Sequence, residues 1–427
     1  MSASLFAPPR LDRSQEWESR KLRSLLRPRS ERNRADLPLL SVARERGVFV
    51  RSAEDANHNT IPEDLSNYKV ARRGDLVINK MKSWQGSLGL APVDGIVSPA
   101  YFVFEAGIAV PQFGHHLLRS KPYVAKFGAA SDGVRVGQWD LNVPRMREIE
   151  LMLPEAEEQA AIVKYLAHAN ARIDKAIAAK RRLTALCTEE QQAVAREWLT
   201  PGARIQGTWK TVVTKRLCRI TTGVEDSGNA LDEGGYPFFV RGREVLRASD
   251  YSFDAEAVMT PGDGQGGVGK VFHYFNGKFQ AHQRVYVFLN FQGVDARYFY
   301  WSLCAFFRAF ALSQSNTVTM ESLRMPVLAY FPVSFPPIDQ QGEIVGGIER
   351  ETARIQQQIE VAEAEINLLR EFRTRLVADV VTGQVDVRGM AASLPEVDPA
   401  AAWSSGESDS ESADRAVSED RLTESEA

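Results

Sequence analysis

The sequence predicts an α+β protein in which two mixed α/β domains alternate with two long helices that pack as an antiparallel coiled coil. Three observations lead to this prediction: an ungapped internal repeat, a seven-residue spacing of apolar residues within it, and short strand-like runs upstream of each copy. Because the same order of segments occurs twice, we expect the two halves to be related by a pseudo-two-fold internal repeat.

The internal repeat aligns two stretches at a constant offset of 182 positions. LPEAEEQAAIVKYLAHANARIDKAI begins at Leu153, and FPPIDQQGEIVGGIERETARIQQQI begins at Phe335. Chance would give roughly three identities over residues 154–202, whereas eleven occur. The identical pairs are Pro154 and Pro336, Gln159 and Gln341, Ile162 and Ile344, Val163 and Val345, Ala171 and Ala353, Arg172 and Arg354, Ile173 and Ile355, Ile177 and Ile359, Leu186 and Leu368, Glu189 and Glu371, and Thr200 and Thr382.

Each copy of the repeat is predicted to form a long helix. Both open with Pro followed by acidic and Gln residues, which favours a helix N-terminus because proline fits the first turn and negative charge offsets the dipole. Apolar residues then recur at heptad spacing, more regularly in the second copy, whereas Asn170 and Lys180 make the first more polar. An ordinary helical hairpin in a bundle is the alternative. The seam residues are Val163, Leu166, Ile173, Ile177, Ile348, Ile355, Ile359, Ile366, Leu369 and Leu376, and the first copy adds Leu183, Leu186 and Val194.

The segment upstream of each helix has the opposite periodicity. Short apolar runs bounded by Gly, Pro and Asp predict strands, and one helical stretch follows late in each segment. The runs are GDLVI, GSLGL and PAYFVFEAG in the first half and YPFFVRG, GKVFHYF and RVYVFLNF in the second. The predicted divisions are therefore a basic arm at 1–34, globular domains at 35–153 and 205–335, helical regions at 154–200 and 336–388, and a tail at 391–427.

The net charge of −3 conceals an asymmetry along the chain. The tail has ten Asp or Glu against two Arg, so the remaining 390 residues carry +5. The tail is rich in Ser and acids and poor in large apolar residues, and we expect it to be disordered. The arm is basic, with nine Lys or Arg against four acids between Arg10 and Arg34. A mildly basic body is compatible with nucleic-acid binding.

Composition and motifs exclude several classes of protein. No apolar run is long enough to cross a bilayer, the N-terminus lacks a signal peptide, and three cysteines without ligand spacing favour a reducing cytoplasm. GQGGVGK, ending at Lys270, is close to a phosphate-binding loop, but Val271 replaces the required hydroxyl and the following residues are strand-like. No methyltransferase tetrad or nuclease metal cluster is evident, and we predict neither a catalytic residue nor a metal site.

The duplicated layout resembles the type I restriction-modification specificity subunits, also called HsdS, over residues 35–388. The first globular domain carries NKMKSWQGSLGLAPVDGIVSPAYFVF from Asn79, and the second carries PGDGQGGVGKVFHYFNGKFQAHQRVYVF from Pro261. Each predicted long helix begins with a Pro-containing segment, as in this family, and the second helix ends at VVTGQVDVRG, which starts at Val380. The basic arm and the acidic tail depart from the family pattern.

This resemblance implies that each globular domain is a target-recognition domain that reads one half of a bipartite double-stranded DNA site. It also implies two modification subunits, which use S-adenosylmethionine, docked on the helices, and restriction subunits that use ATP and Mg²⁺. No cofactor is then expected in this chain. The rival hypothesis is a coiled-coil adaptor whose two globular ends bind proteins.

Candidate base-reading residues are polar and basic side chains on Gly-bounded loops, because Arg pairs with guanine and Gln or Asn with adenine in the major groove. The first domain offers Lys80, Lys82, Trp84, Gln85, Arg135 and Gln138, and the second offers Arg241, Arg243, Lys270, Gln280, His282, Arg284 and Asn316.

Overall fold

The computed structural model describes residues 16–44, 46–51, 64–135, 138–226, 230–231, 234–263, 269–314, 323–397 and 403. At residues 134, 135 and 138 only the backbone is described. The chain divides into two compact units, and each unit holds one part of each long helix. The described residues of the first unit fall within 1–179 and 365–412, and those of the second fall within 180–364.

The first half of the chain contains twelve short strands among its described residues. They are β1 (Glu18–Lys21), β2 (Leu26–Pro28), β3 (Leu40–Ala43), β4 (Gly47–Val50), β5 (Lys69–Ala71), β6 (Leu76–Asn79), β7 (Leu88–Leu90), β8 (Gly95–Val97), β9 (Tyr101–Ala106), β10 (Ser131–Arg135), β11 (Gln138–Leu141) and β12 (Glu150–Leu153). The helices of this half are α1 (Leu22–Leu25), α2 (Pro111–Arg119), α3 (Lys121–Ala129), α4 (Val143–Arg147) and α5 (Ala156–Leu199).

The second half follows a similar order. Its strands are β13 (Lys210–Val213), β14 (Arg219–Thr222), β15 (Tyr236–Phe239), β16 (Val245–Ala248), β17 (Phe253–Pro261), β18 (His273–Ala281), β19 (Val285–Leu289) and β20 (Pro332–Phe335). Its helices are α6 (Ala296–Ser302), α7 (Arg308–Ser313), α8 (Met325–Ala329), α9 (Ile338–Val381) and α10 (Arg388–Ser393), with a π-helical turn at Leu303–Phe307 between α6 and α7.

The predicted apolar runs form strands in both units. They become β6, β7 and β9 of a four-stranded sheet in the order β2-β9-β6-β7 in the first unit, and β15, β18 and β19 of a six-stranded sheet in the order β14-β19-β17-β18-β15-β16 in the second. The segment after Lys270 continues into β18, so the strand prediction at the near-phosphate loop is confirmed. The globular segment before each long helix also contains an antiparallel pair of its first and last strands, β1 with β12 and β13 with β20.

The two long helices each span 44 residues, which corresponds to about 66 Å of helix. In the first unit, Ile173 and Ile177 of α5 form an apolar cluster with Ile366 of α9. In the second unit, Cys187 of α5 clusters with Ile355 and Ile359 of α9. All ten predicted seam residues are buried except Leu369, which is partly buried.

Leu183 and Leu186 do not belong to the buried stripe. Leu183 is 46% exposed and Leu186 is 54% exposed, and the buried position beside them is Cys187. The stripe continues from Ile177 through Cys187 and Gln191, whose side-chain amide donates to Gln356 at 3.1 Å. The prediction that Leu183 and Leu186 belong to the seam was wrong, because Cys187 and Gln191 form the contact face in this part of α5.

The chain ends also differ from the prediction. The segment treated as a separate basic arm is part of the first unit, because β1 and β2 pair with β12 and β9, and Leu22 is fully buried. The start of the predicted disordered tail is packed as well. Ala391 is buried and Glu396 pairs with Lys164 at 2.7 Å. Residues 1–15, and those after 397 other than Trp403, lie outside the described part of the chain.

Candidate nucleic-acid interface

A Gly-bounded turn and a hairpin meet at one edge of the first unit. After β6, the side chain of Asn79 accepts a hydrogen bond from the backbone N–H of Met81 at 3.1 Å and so starts the turn. Gly86 ends it with a φ of 96°, a left-handed conformation that favours glycine. The backbone carbonyl of Lys80 accepts from the N–H of Leu141 at 3.0 Å, which fixes the turn against β11.

An aromatic pair lies across this contact. The rings of Trp84 and Trp139 are 5.3 Å apart between centroids and tilted by 33°. The indole N–H of Trp84 donates to the carbonyl of Met81 at 3.1 Å, so this ring is held by its own turn. Trp139 remains 37% exposed, an unusual position for so large an apolar side chain. The pair therefore presents a supported aromatic surface to solvent.

Two ion pairs involve residues of the turn, the hairpin and the helix that follows it. Lys80 lies 3.5 Å from Asp140, and Arg145 lies 2.5 Å from Asp132. Lys82 and Gln85 are partly exposed on the same turn. The structure thus brings together Lys80, Lys82, Trp84 and Gln85. It leaves Arg135 and Gln138 undecided, because their side chains lie outside the described ones, although their backbones pair in the hairpin.

Three loops converge at one edge of the second unit. Arg241 follows β15, Asp263 follows β17, and Arg284 precedes β19. A terminal nitrogen of Arg284 is hydrogen-bonded to Oδ2 of Asp263, and one of Arg241 lies 3.8 Å from Oδ1 of the same carboxylate. Both arginines are among the residues predicted from the sequence, whereas Asp263 is not, because an acidic residue is a weak signal for binding an anionic polymer.

The remaining candidates of the second unit differ in exposure. Arg243 and Lys270 are exposed, as the prediction requires. Gln280 and His282 are buried, which does not fit direct contact with a duplex at the surface. Asn316 lies outside the described residues.

Gln280 and His282 are held by their own loop. The amide oxygen of Gln280 accepts from the backbone N–H of Ala281 at 3.0 Å, and Nδ1 of His282 accepts from the N–H of Arg284 at 3.0 Å. Burial, and then the positive charge of Arg241, lower the pKa of His282, so the neutral ring accepts this bond. These two residues shape the loop that carries Arg284.

Trp139 and Arg145 were also missed in the first unit. The sequence does not show that Trp139 is exposed, and only the hairpin register brings it against Trp84. Within the described ranges no group of three or more His, Cys, Asp and Glu side chains could hold a metal ion. No helix in the same ranges is long and apolar enough to cross a membrane.

Comparison with known proteins identifies residues 206–363 as a match to the family described as type I restriction modification DNA specificity domain. The chain is similar to the type I restriction enzyme EcoDI specificity subunit of Escherichia coli, with 25% identity over 177 residues. That match covers 42% of this chain and 38% of the relative, so it spans less than half of the relative's length.

Three solved structures are similar over most of the chain. One, from work on assembly of the type I R-M system, has 16% identity, covers 86% of this chain and 97% of its own, and gives a TM-score of 0.45. The HsdS subunit from Thermoanaerobacter tengcongensis has 18% identity, coverage of 87% and 97%, and a TM-score of 0.38. The S subunit from M. genitalium has 13% identity, coverage of 90% and 97%, and a TM-score of 0.35.

Proposed function

We propose that this chain is a specificity subunit of a type I restriction-modification system and selects the DNA sequence on which such a complex acts, because residues 206–363 match the DNA specificity domain of those systems. Each mixed α/β domain reads one half of a bipartite double-stranded target. The two long helices pair as an antiparallel coiled coil, separate the two reading domains and dock two modification subunits.

The observation that carries this proposal is a hydrogen-bonded junction that occurs in both halves. Gln159 and Gln341, 182 positions apart, each donate to the carbonyl of the proline five residues before them, at 2.8 and 2.9 Å. Each also accepts from the backbone N–H at the start of a helix in its own recognition segment, Val110 or Asp295. The first half therefore has the same junction as the matched specificity domain in the second half. This likeness supports the presence of two DNA-reading domains in one chain.

The two candidate surfaces support DNA as the ligand. Each is formed by loops that extend from strand ends, and each presents basic or aromatic side chains on a supported backbone. Side chains of this kind read base edges, whereas the phosphates are bound by distributed positive charge. The body of the chain has a net charge of only +5, which favours base selection over strong phosphate binding.

Partner subunits supply the rest of the activity in this proposal. The modification subunits bring S-adenosylmethionine, and the restriction subunits bring ATP and Mg²⁺. Exposed apolar residues on the long helices fit a docked partner, because such side chains gain most from being covered. They are Leu183, Leu186, Ile338 and Val361 in the second unit and Leu368, 64% exposed, in the first.

A binding selection tests the proposal against the adaptor hypothesis. The full chain, alone and together with its co-purified modification subunits, is titrated with a randomised duplex library over a salt series. We expect enrichment of two short half-sites separated by an unselected spacer, and an affinity that falls linearly with log salt. The lone chain should bind more weakly and with a smaller slope. Binding of proteins but not of DNA would support the adaptor instead.

A further inference from the structure

We propose that Arg284 reads a guanine in the half-site bound by the second unit and that Asp263 is the positioning residue that orients it. This inference rests on the proposed function and deepens it by naming a base and the side chain that selects it. It depends on the geometry of three side chains, Arg241, Asp263 and Arg284, which converge from loops after β15, after β17 and before β19.

Asp263 is placed to orient an arginine and not to read a base itself. Its Oδ2 accepts from a terminal nitrogen of Arg284, and its Oδ1 is buried, 3.8 Å from Arg241, with no hydrogen-bond partner among the described residues. One oxygen is therefore occupied and the other cannot be reached from solvent. A carboxylate in this position cannot accept from the amino group of cytosine, the contact that an acidic base reader makes.

Arg284 keeps the donors that a guanine requires. A guanidinium has five N–H donors in a rigid fork, and the bond to Asp263 uses one nitrogen. The side chain is still 47% exposed, so the remaining edge of the fork faces solvent. Guanine offers two acceptors, O6 and N7, on its major-groove edge at the spacing of that fork, and arginine is its usual partner.

The local charge favours a base edge over a phosphate. Asp263 offsets one of the two arginines, and the carboxylate of Asp226 lies nearby, where it accepts from the side-chain amide of Gln283 at 3.1 Å. These carboxylates would repel a phosphate, whereas the edge of a guanine is neutral. The neighbourhood of Arg284 therefore suits base reading better than backbone binding.

The backbone of Arg284 is held in place on both sides. Its N–H donates to Nδ1 of the buried His282 at 3.0 Å, and its carbonyl accepts from the N–H of Gly262 at 2.7 Å. A side chain at Gly262 would come within 2.9 Å of that carbonyl, so the close approach of the two loops requires glycine. A reader fixed at both its backbone and its guanidinium loses little freedom on binding.

The test uses the chain assembled with its modification subunits and a duplex library in which the half-site of the second unit is randomised. Bound duplexes are sequenced for the wild type and for Arg284→Lys, which keeps the charge but loses the fork. Asp263→Asn removes the charge of the positioning residue and keeps its shape. Arg308→Lys, at an exposed arginine on α7 of the same unit, is the matched control. Thermal melting of each variant verifies its fold.

We expect one guanine-dominated position whose preference falls roughly tenfold or more in Arg284→Lys, with the other positions unchanged. Asp263→Asn should weaken the same preference by a smaller factor, and Arg308→Lys should leave it intact. Replacing that guanine with 7-deazaguanine, which lacks N7, should weaken wild-type binding severalfold and affect Arg284→Lys little.

Two results would overturn the inference alone. One is an unchanged guanine preference in Arg284→Lys. The other is a uniform loss of affinity for all sequences, because that pattern identifies a phosphate contact. A wild-type complex without any sequence preference would instead contradict the proposed function itself, so the two failures are distinguishable.

Discussion

The side-chain oxygen of Gln341 accepts a hydrogen bond from the backbone N–H of Asp295 at 2.7 Å. Gln341 thereby joins the start of α9 to the start of α6, the helix of its own recognition segment. Gln159 makes the same bond to Val110 at 3.1 Å, at the start of α2. The two glutamines fix how each globular segment meets its long helix, as the proposed reading of two half-sites at a fixed spacing would require.

Replacing Gln341 with Leu should lower the free energy of unfolding by about 2 kcal/mol, because the partly buried N–H of Asp295 and the buried carbonyl of Pro336 both lose this hydrogen-bond partner. The glutamine is fully buried, so water cannot replace its amide. Urea unfolding measures the change. Gln357→Leu, at an exposed position of the same helix, is the control and should be nearly neutral. Equal effects of the two substitutions would contradict a structural role for the bond.

Ile177→Asp should destabilise the first unit by about 4 kcal/mol, because it puts a carboxylate among apolar side chains of α5 and α9. Leu186→Asp, nine residues later on the same helix, should leave the melting temperature almost unchanged, since that side chain is more than half exposed. Thermal melting of both variants separates the buried stripe from the exposed face. Similar losses of stability in both variants would contradict the assignment of Ile177 to the buried stripe and of Leu186 to the exposed face.

The same pair of residues shows how far the sequence could predict the helices. Heptad spacing identified the buried positions of α9, because apolar residues dominate its stripe. In α5 the stripe passes through Cys187 and Gln191, and the leucines lie beside it. Leu186 matches Leu368 in the repeat, yet both are exposed, so their identity did not indicate a core position. Periodicity follows apolar residues and cannot detect a contact face made of polar ones.

The candidate surface was less predictable than the fold, for a similar reason. Arg241, Asp263 and Arg284 are distant in sequence, and only the sheet order brings their loops together. The Gly-bounded loops did point to both arginines. Gln280 appeared equivalent to them, but it lies at the end of a central strand and its side chain turns inward. The Gly-bounded sequence indicated which residues lie in loops. The direction of each side chain, however, depends on the strand register, which the sequence alone did not indicate.

Trp139→Ala should weaken DNA binding roughly fivefold or more while leaving the melting temperature close to that of the wild type, because the ring is partly exposed, rests on Trp84 and can make an apolar contact with a base edge. Since the substitution removes no charge, the slope of log affinity against log salt should not change. Titrations of one cognate duplex at several salt concentrations measure both quantities. Val93→Ala, another exposed apolar residue of this unit, is the control. An unaltered affinity in Trp139→Ala would remove the aromatic pair from the interface.

Acidification should destabilise the protein through buried histidines. Burial lowers the pKa of His115 well below its usual 6.5, and the nearby guanidinium of Arg119 lowers it further. The unfolded chain therefore binds a proton that the folded chain excludes, so this contribution to stability is present above pH 6.5 and is lost as the pH falls below it. The melting temperature should drop between pH 7.5 and 5.5. His115→Gln should show a smaller drop, and an identical pH dependence would contradict the assignment.

The central claim, that each half of the chain reads one half of the target, is tested most directly by mapping methylated bases after a domain exchange. Residues 205–335 are replaced by the corresponding segment of a relative with a different target, and modified positions are sequenced in cells that express the assembled complex. We expect one half of the recognised sequence to change while the other half and the spacer persist. A change in both halves, or in neither, would contradict independent reading by two domains.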